Sequence, residues 1–203
     1  AMAFGSMAND GGHLLLEPEE VSELLISCPE AEKWVRRFYG SVEYIENQER
    51  YCLWLKGVEP EEYEAVSEIR KRVEAVRRFR GVSQRGATRK LAETPSLFGE
   101  IRQPEEGRYI LVPRVSSQGR PYIPMGYLPA SAIASDAVLI VPEASSVLFG
   151  VLNSALHMAW VRGVAGRLKS DYRYSASIVY NNFPFPELEG PAAAAVEKAA
   201  EEL

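Results

Sequence analysis

Histidine and cysteine are scarce here, with two of each in 203 residues. His13 and His157 stand far apart, and no His, Cys, Asp or Glu grouping has the spacing of a metal site, which excludes a locally built zinc-type centre. His157, on an otherwise apolar helical stretch, reads as a satisfied core or surface residue. Cys28 and Cys52 read as small core residues, as suits a reducing compartment. Also lacking are a glycine-rich phosphate loop after a strand, a dinucleotide fingerprint and a serine elbow. The run Asn181-Asn-Phe-Pro-Phe-Pro186 has its prolines in the wrong places for a motif that grips an exocyclic amine, so a rigid extended segment is expected. No catalytic residue, metal or cofactor is therefore expected on this chain. No apolar run approaches the roughly 20 residues needed to span a bilayer, and no signal-peptide pattern opens the chain; a cytoplasmic setting without membrane is expected.

Positive charge is also short overall, with a net charge of −5. Its placement is uneven. Acids dominate residues 10–64 and the tail from 187, whereas Arg70, Lys71, Arg72, Arg77, Arg78, Arg80, Arg85, Arg89 and Lys90 form a basic block. A second basic group runs from Arg162 to Arg173. Sign asymmetry of this kind says more about partners than the total does.

What is present is an ordinary globular composition, 46% hydrophobic and 25% charged. The fold class expected is α+β: one domain with an irregular, partly antiparallel sheet and packed helices. Short strands are expected over 12–16 and 50–55. Helices are expected from Pro18 and over 29–40, the latter with proline near its start and Gly40 as its stop. Pro60 opens the longest helix, about five turns, with Tyr63, Val66, Ile69 or Arg70, Val73 and Val76 on its packed stripe; residues 81–87 follow as a loop. Strands over 109–115 and 122–128 flank a five-residue hairpin loop, with Pro113 and Pro124 marking edges or bulges. A third strand covers 137–141. An apolar helix from about Ser146 leads into the loop Gly166-Arg-Leu-Lys-Ser-Asp-Tyr-Arg-Tyr-Ser175, and the β-prone run Ser177-Ile-Val-Tyr180 leads out. A solvated helix starts near Pro191. The chain starts at Ala1 and stops inside that helix, so a piece of a longer polypeptide is expected.

The loop at 166–175 carries Arg167, Lys169, Asp171 and Arg173 between two core-forming segments. Long donor side chains held between rigid flanks suit the reading of a nucleic acid. Three further stretches give this pattern a family. They are Phe4-Gly-Ser-Met-Ala-Asn-Asp-Gly-Gly-His-Leu-Leu-Leu16, Leu111-Val-Pro-Arg-Val-Ser-Ser117 with Arg120-Pro-Tyr-Ile-Pro124, and His157-Met-Ala-Trp160. With the 166–175 block they resemble the target recognition domain of MmeI-like type IIL restriction–modification enzymes, nearly over the full length. Ala8 stands where proline is expected, and Phe185 where tryptophan is more usual.

The resemblance implies a fold similar to the recognition domains of type I specificity subunits. Residues 1–40 would lead from a methyltransferase region, 41–186 would form the recognition core, and 187–203 would begin a helical appendage. It implies double-stranded DNA as partner, together with the methyltransferase region of the same parent chain. That parent would use S-adenosylmethionine to methylate adenine in a short asymmetric site, and Mg2+ to cut unmodified DNA. The resemblance also implies that Lys169 and Asp171 vary jointly with one base pair. Lysine donates to guanine's major-groove acceptors and aspartate accepts from the paired cytosine's amino group, so a G·C pair is expected there. Arg173, Arg114 and Arg120, with the loop at 116–119, are further candidates for base contact. Arg70, Arg77, Arg78, Arg80, Arg85, Arg89 and Arg167 are assigned to phosphates. The rival readings are a protein-docking module whose basic helix meets an acidic partner, and an enzyme with an unusual cofactor site.

Overall fold

The computed structural model describes all residues, Ala1–Leu203. In chain order the elements are β1 (Ala3–Phe4), β2 (Leu15–Leu16), α1 (Pro18–Ser27), a 3-10 turn (Pro29–Trp34), β3 (Val35–Tyr39), α2 (Ser41–Ile45), β4 (Tyr51–Leu53), α3 (Pro60–Glu64), α4 (Ser67–Gly81) and α5 (Gly86–Lys90). After a second 3-10 turn (Leu91–Glu93) come β5 (Arg108–Pro113), β6 (Val115–Ser116), β7 (Gly126–Pro129), β8 (Ile133–Ala134), β9 (Val138–Pro142), α6 (Ser146–Leu152), α7 (Ala155–Val164), β10 (Gly166–Leu168), β11 (Asp171–Arg173), a π-helical turn (Ala176–Tyr180) and α8 (Gly190–Glu201). The mixed α and β class with small, mostly antiparallel sheets is as expected.

The chain folds into two compact units. One comprises Gly5–Gln103 and Ser131–Asp136. Its sheet runs β2-β4-β3-β8, with β3 antiparallel to β4 and parallel to β8. Its core gathers Leu14, Leu16, Trp34, Phe38, Leu53 and Ile133 beneath Ile69, Val73 and Val76 of α4. Residues 29–40 therefore do not make the expected helix. After one 3-10 turn the chain extends, because Phe38 and its neighbours fill a ladder between β4 and β8, and that burial outweighs local helix preference. The expected five-turn helix from Pro60 is two helices. Val66 is extended, with φ −93° and ψ 106°, and starts α4 afresh. The stretch expected as a loop after residue 81 holds the start of α5.

The other unit comprises Ala1–Phe4, Pro104–Ala130 and Ala137–Leu203. Its four-stranded antiparallel sheet runs β1-β9-β5-β7, and Val138, Leu139, Ile140 and Val141 of β9 are all buried. Pro113 sits at the last residue of the inner strand β5, opposite Val138, and Pro124 lies outside any strand. Pro113 thus closes its ladder and Pro124 stays clear of one, as suits residues without an N–H donor. The pairing of Leu111 with Gly126 makes β5 and β7 neighbours, but the link between them is much longer than the expected five residues. Within it Val115 and Ser116 leave to pair with β11, so a three-stranded sheet forms in the order β10-β11-β6.

The apolar stretch from Ser146 breaks after Leu152. Ser154 caps α7 by accepting from the His157 N–H, and the two helices are bent by 53°. No single helix is long and apolar enough to cross a membrane. The run 177–180 is not a strand. The Ser175 side chain accepts from the Ile178 N–H, the Asn181 N–H reaches the Ala176 carbonyl at 2.8 Å, and the Trp160 indole donates to the Val179 carbonyl at 3.0 Å. These local bonds hold a wide turn against the β preference of Ile178 and Val179. Phe183 is buried there, edge-on to His157 at 4.5 Å, so the segment after 181 serves as an aromatic plug. Helix α8 is less solvated than expected. Val196 and Ala200 close on Gly150 of α6, where even a Cβ would meet Val196 at 2.8 Å.

His157 is a core residue, 1% exposed, with Nε2 2.9 Å from the Tyr174 hydroxyl. Burial lowers its pKa from the ordinary value to about 4. The folded state therefore binds its proton less readily than the unfolded chain, for which about 6.5 is usual. Stability from this site is complete above about pH 6.5 and is lost as pH falls toward 4, by about 3 kcal/mol at most. Urea melts of the chain and of His157→Gln should diverge over that window, with the wild type losing stability faster. Parallel curves would contradict the assignment.

Candidate nucleic-acid interface

The segment at 166–175 is a β-hairpin rather than a plain loop. Leu168 pairs with Asp171, so the turn has two residues, Lys169 and Ser170. A two-residue hairpin turn asks for positive φ at its first central position, a place glycine fills most cheaply. Lys169 takes it at φ 56°. A non-glycine residue in that region costs about 1 kcal/mol, and the pairing of Leu168 with Asp171 imposes it on the lysine at the apex. Its ammonium is exposed and makes no bond within the chain. No ion pair joins it to Asp171, so the plain surface-pair explanation of these two residues does not hold.

Strand alternation sorts the remaining side chains. Tyr172 is buried, which places Asp171 and Arg173 together on the opposite side of β11. Leu168 lies opposite Asp171, Gly166 opposite Arg173, and Arg173 is exposed with no partner in the chain. Asp171 and Arg173 thus share one face, with Lys169 in the turn that leads into their strand. Arg167 falls on the other side of the hairpin. Its guanidinium stacks on Tyr172 at 3.9 Å and donates to the Ser170 carbonyl at 3.1 Å, so it braces the turn. Tyr172 and Tyr174 are packing residues.

The loop after β6 joins the hairpin at its turn end. The pairing of Ser116 with Tyr172 directs residues 117–120 past Asp171, and the Gln118 N–H donates to Asp171 Oδ1 at 3.3 Å. Arg120 is exposed; its N–H closes a turn on the Ser117 carbonyl at 3.1 Å. Arg162, which the sequence placed only within a basic group, donates to the Pro121 carbonyl at 3.1 Å and ties this loop to α7. Arg114 is half-buried with its guanidinium over Phe4 at 4.8 Å, and its carbonyl accepts from the Tyr174 N–H. The structure therefore unites Lys169, Asp171, Arg173 and Arg120, and draws Arg114 and Arg167 into packing.

In the other unit, α4 and the segment after it hold the remaining arginines. Arg70, Arg77, Arg78, Arg85 and Arg89 are exposed. Arg78 lies 3.8 Å from Glu74, and Arg89 donates to the carbonyls of Ser83 and Gln84. Lys71 and Arg72 are paired with Glu68 and Glu20. Arg80 corrects the expectation of a phosphate contact. It is 0% exposed, and its guanidinium donates to the carbonyls of Ala8, Asn9, Leu91, Thr94 and Leu97 at 2.8–3.0 Å. Burial lowers its pKa, with Asp10 opposing. The signal was in the sequence: Ile69, Val73, Val76 and Arg80 are four, three and four apart, so Arg80 continues the packed stripe.

A chain of this architecture occurs within a solved modification enzyme. The structure of the type IIL restriction-modification enzyme MmeI in complex with DNA matches with a TM-score of 0.94 and 40% identity, over 99% of this chain and 27% of that one. The likeness is to one region of that longer enzyme. The chain matches the family described as "MmeI, target recognition domain" over residues 1–187, and it belongs to that family. DNA methyltransferase A of Bacillus subtilis (strain 168) is 42% identical over 201 residues, which are 98% of this chain and 23% of that protein. The chain spans about a quarter of the length of these relatives.

Proposed function

We propose that this chain recognises a sequence in double-stranded DNA and selects the site at which a larger polypeptide acts. The observation that carries this reading is the hairpin apex. A lysine holds a strained turn position that glycine would take more cheaply, with its ammonium unspent, while half-buried Asp171 and exposed Arg173 share one face of the adjoining strand. Lys169 donates to guanine N7 and O6, and Asp171 accepts from the amino group of the paired cytosine, which selects a G·C pair. Arg173 and Arg120 supply further donors to bases. Arg70, Arg77, Arg78, Arg85 and Arg89 contact phosphates and position the domain without encoding sequence. In the parent polypeptide a methyltransferase region, for which residues 1–40 form the lead, methylates adenine with S-adenosylmethionine, and a nuclease region uses Mg2+. Both belong to the parent and not to groups on this chain; the relatives in restriction and modification support that reading.

Phosphate contacts predict a definite salt response. Binding of the chain to a duplex carrying its site should weaken linearly in log–log form as salt rises, by about 0.9 per phosphate neutralised. A response flat in salt would favour docking on protein instead.

A further inference from the structure

Gln118 has no role of its own in the assignments above beyond lying in the candidate loop at 116–119, and the fold sets it beside the hairpin apex. Strand β6 ends at Ser116, opposite Tyr172, so the chain beyond it passes the turn end of the hairpin. There the Gln118 N–H donates to Asp171 Oδ1 at 3.3 Å, which commits one carboxylate oxygen to the protein and leaves the other for a base. Residues 117–120 form a braced turn: Ser117 Oγ accepts from the Gly119 N–H at 3.2 Å, and the Ser117 carbonyl accepts from the Arg120 N–H at 3.1 Å. Arg162 fixes the exit of the loop at Pro121. The Gln118 side chain stands out from this frame, exposed, with its amide bound to nothing in the chain.

We propose that Gln118 reads the base pair next to the one read by Lys169 and Asp171, and that it selects adenine there. A glutamine amide offers a donor and an acceptor side by side, which match adenine N7 and N6 in the major groove, whereas guanine presents two acceptors and rejects the donor–acceptor pair. The hydrogen bond from the Gln118 N–H to the Asp171 carboxylate sets the spacing: two reading residues joined this closely cover neighbouring pairs, because successive pairs lie only about 3.4 Å apart. The inference rests on the proposed DNA recognition.

The test is selection of bound duplexes from a randomised pool by the full chain, followed by sequencing, for wild type, Gln118→Ala and Gln118→Glu. Gln118→Ala keeps the backbone N–H to Asp171 and lies on the surface, so the fold is retained. The expected result is that Gln118→Ala relaxes one position, adjacent to the G·C pair, by roughly tenfold to a hundredfold. Gln118→Glu, an acceptor only, should move that position toward cytosine. If wild type selects a site and both variants select the same one, Gln118 reads nothing and the inference falls while DNA recognition stands. A change confined to the G·C pair itself would also overturn it, since Gln118 would then act only through Asp171. If wild type selects no sequence at all, the proposed function and this inference fall together.

Discussion

The double variant Lys169→Glu with Asp171→Arg should select C·G where the wild type selects G·C, with the positions beyond the pair assigned to Gln118 unchanged. The exchange reverses donors and acceptors at two places that the hairpin holds in fixed register. A glutamate at the apex accepts from cytosine's amino group, and an arginine two residues on donates to the guanine across the pair. Each contact is worth roughly 1–3 kcal/mol of discrimination, so the preference should invert by at least about a hundredfold in ratio. Both residues lie at the surface, and neither makes a contact that a core residue depends on, save the single bond from the Gln118 N–H. The fold should therefore survive the exchange. Each single variant pairs one matched group with one mismatched group, and should weaken selection rather than redirect it. Sequencing of selected duplexes reads the result directly; a double variant that still prefers G·C would remove these residues from the base contacts.

Replacing Arg80 should have the largest effect on stability. Its five hydrogen bonds hold three separate stretches of backbone: 8–9, 91–94 and Leu97. Removing the guanidinium leaves those carbonyls without their donor in a site that water does not reach, at a cost of about 1–3 kcal/mol for each group left unpaired, although such costs do not add fully. A loss of about 3–5 kcal/mol is expected for Arg80→Ala, a large share of the 5–15 kcal/mol that holds a typical domain together. Arg80→Lys should rescue little, since an ammonium has three donors on one atom where the guanidinium has five spread over a fork. Urea unfolding at constant pH measures both. A loss under 1 kcal/mol for Arg80→Ala would show that the latch is not what binds these stretches.

These two residue sets show where the sequence was readable. Arg80 and Lys169 are both long and basic, and each follows an apolar residue and precedes a small one, so composition does not separate them. Periodicity separates the first, because Arg80 continues the stripe of Ile69, Val73 and Val76. Nothing periodic marks the second. A two-residue turn without glycine is invisible until Leu168 is seen to pair with Asp171, and the positive φ of Lys169 is imposed by that pairing. Long-range pairing also explains the elements that differ. Residues 35–39 extend because β4 and β8 receive them, and 115–116 leave their hairpin because β11 offers a ladder. At 176–180 the opposite happens: Ser175, Trp160 and Asn182 hold a turn where β-branched residues alone favour a strand. The apolar interior needed none of this. Strand β9, the stripe of α4 and the packing roles of Tyr172, Tyr174, Cys28 and Cys52 follow from side-chain type and spacing.

The most direct measurement is of one acceptor atom. Replacing the guanine of the G·C pair with 7-deazaguanine deletes N7 and leaves base pairing intact. Affinity of the wild-type chain for that duplex should fall by about tenfold, and affinity of Lys169→Ala, already weaker, should not change further. An equal penalty in both proteins, or none in the wild type, would mean that Lys169 does not touch that base.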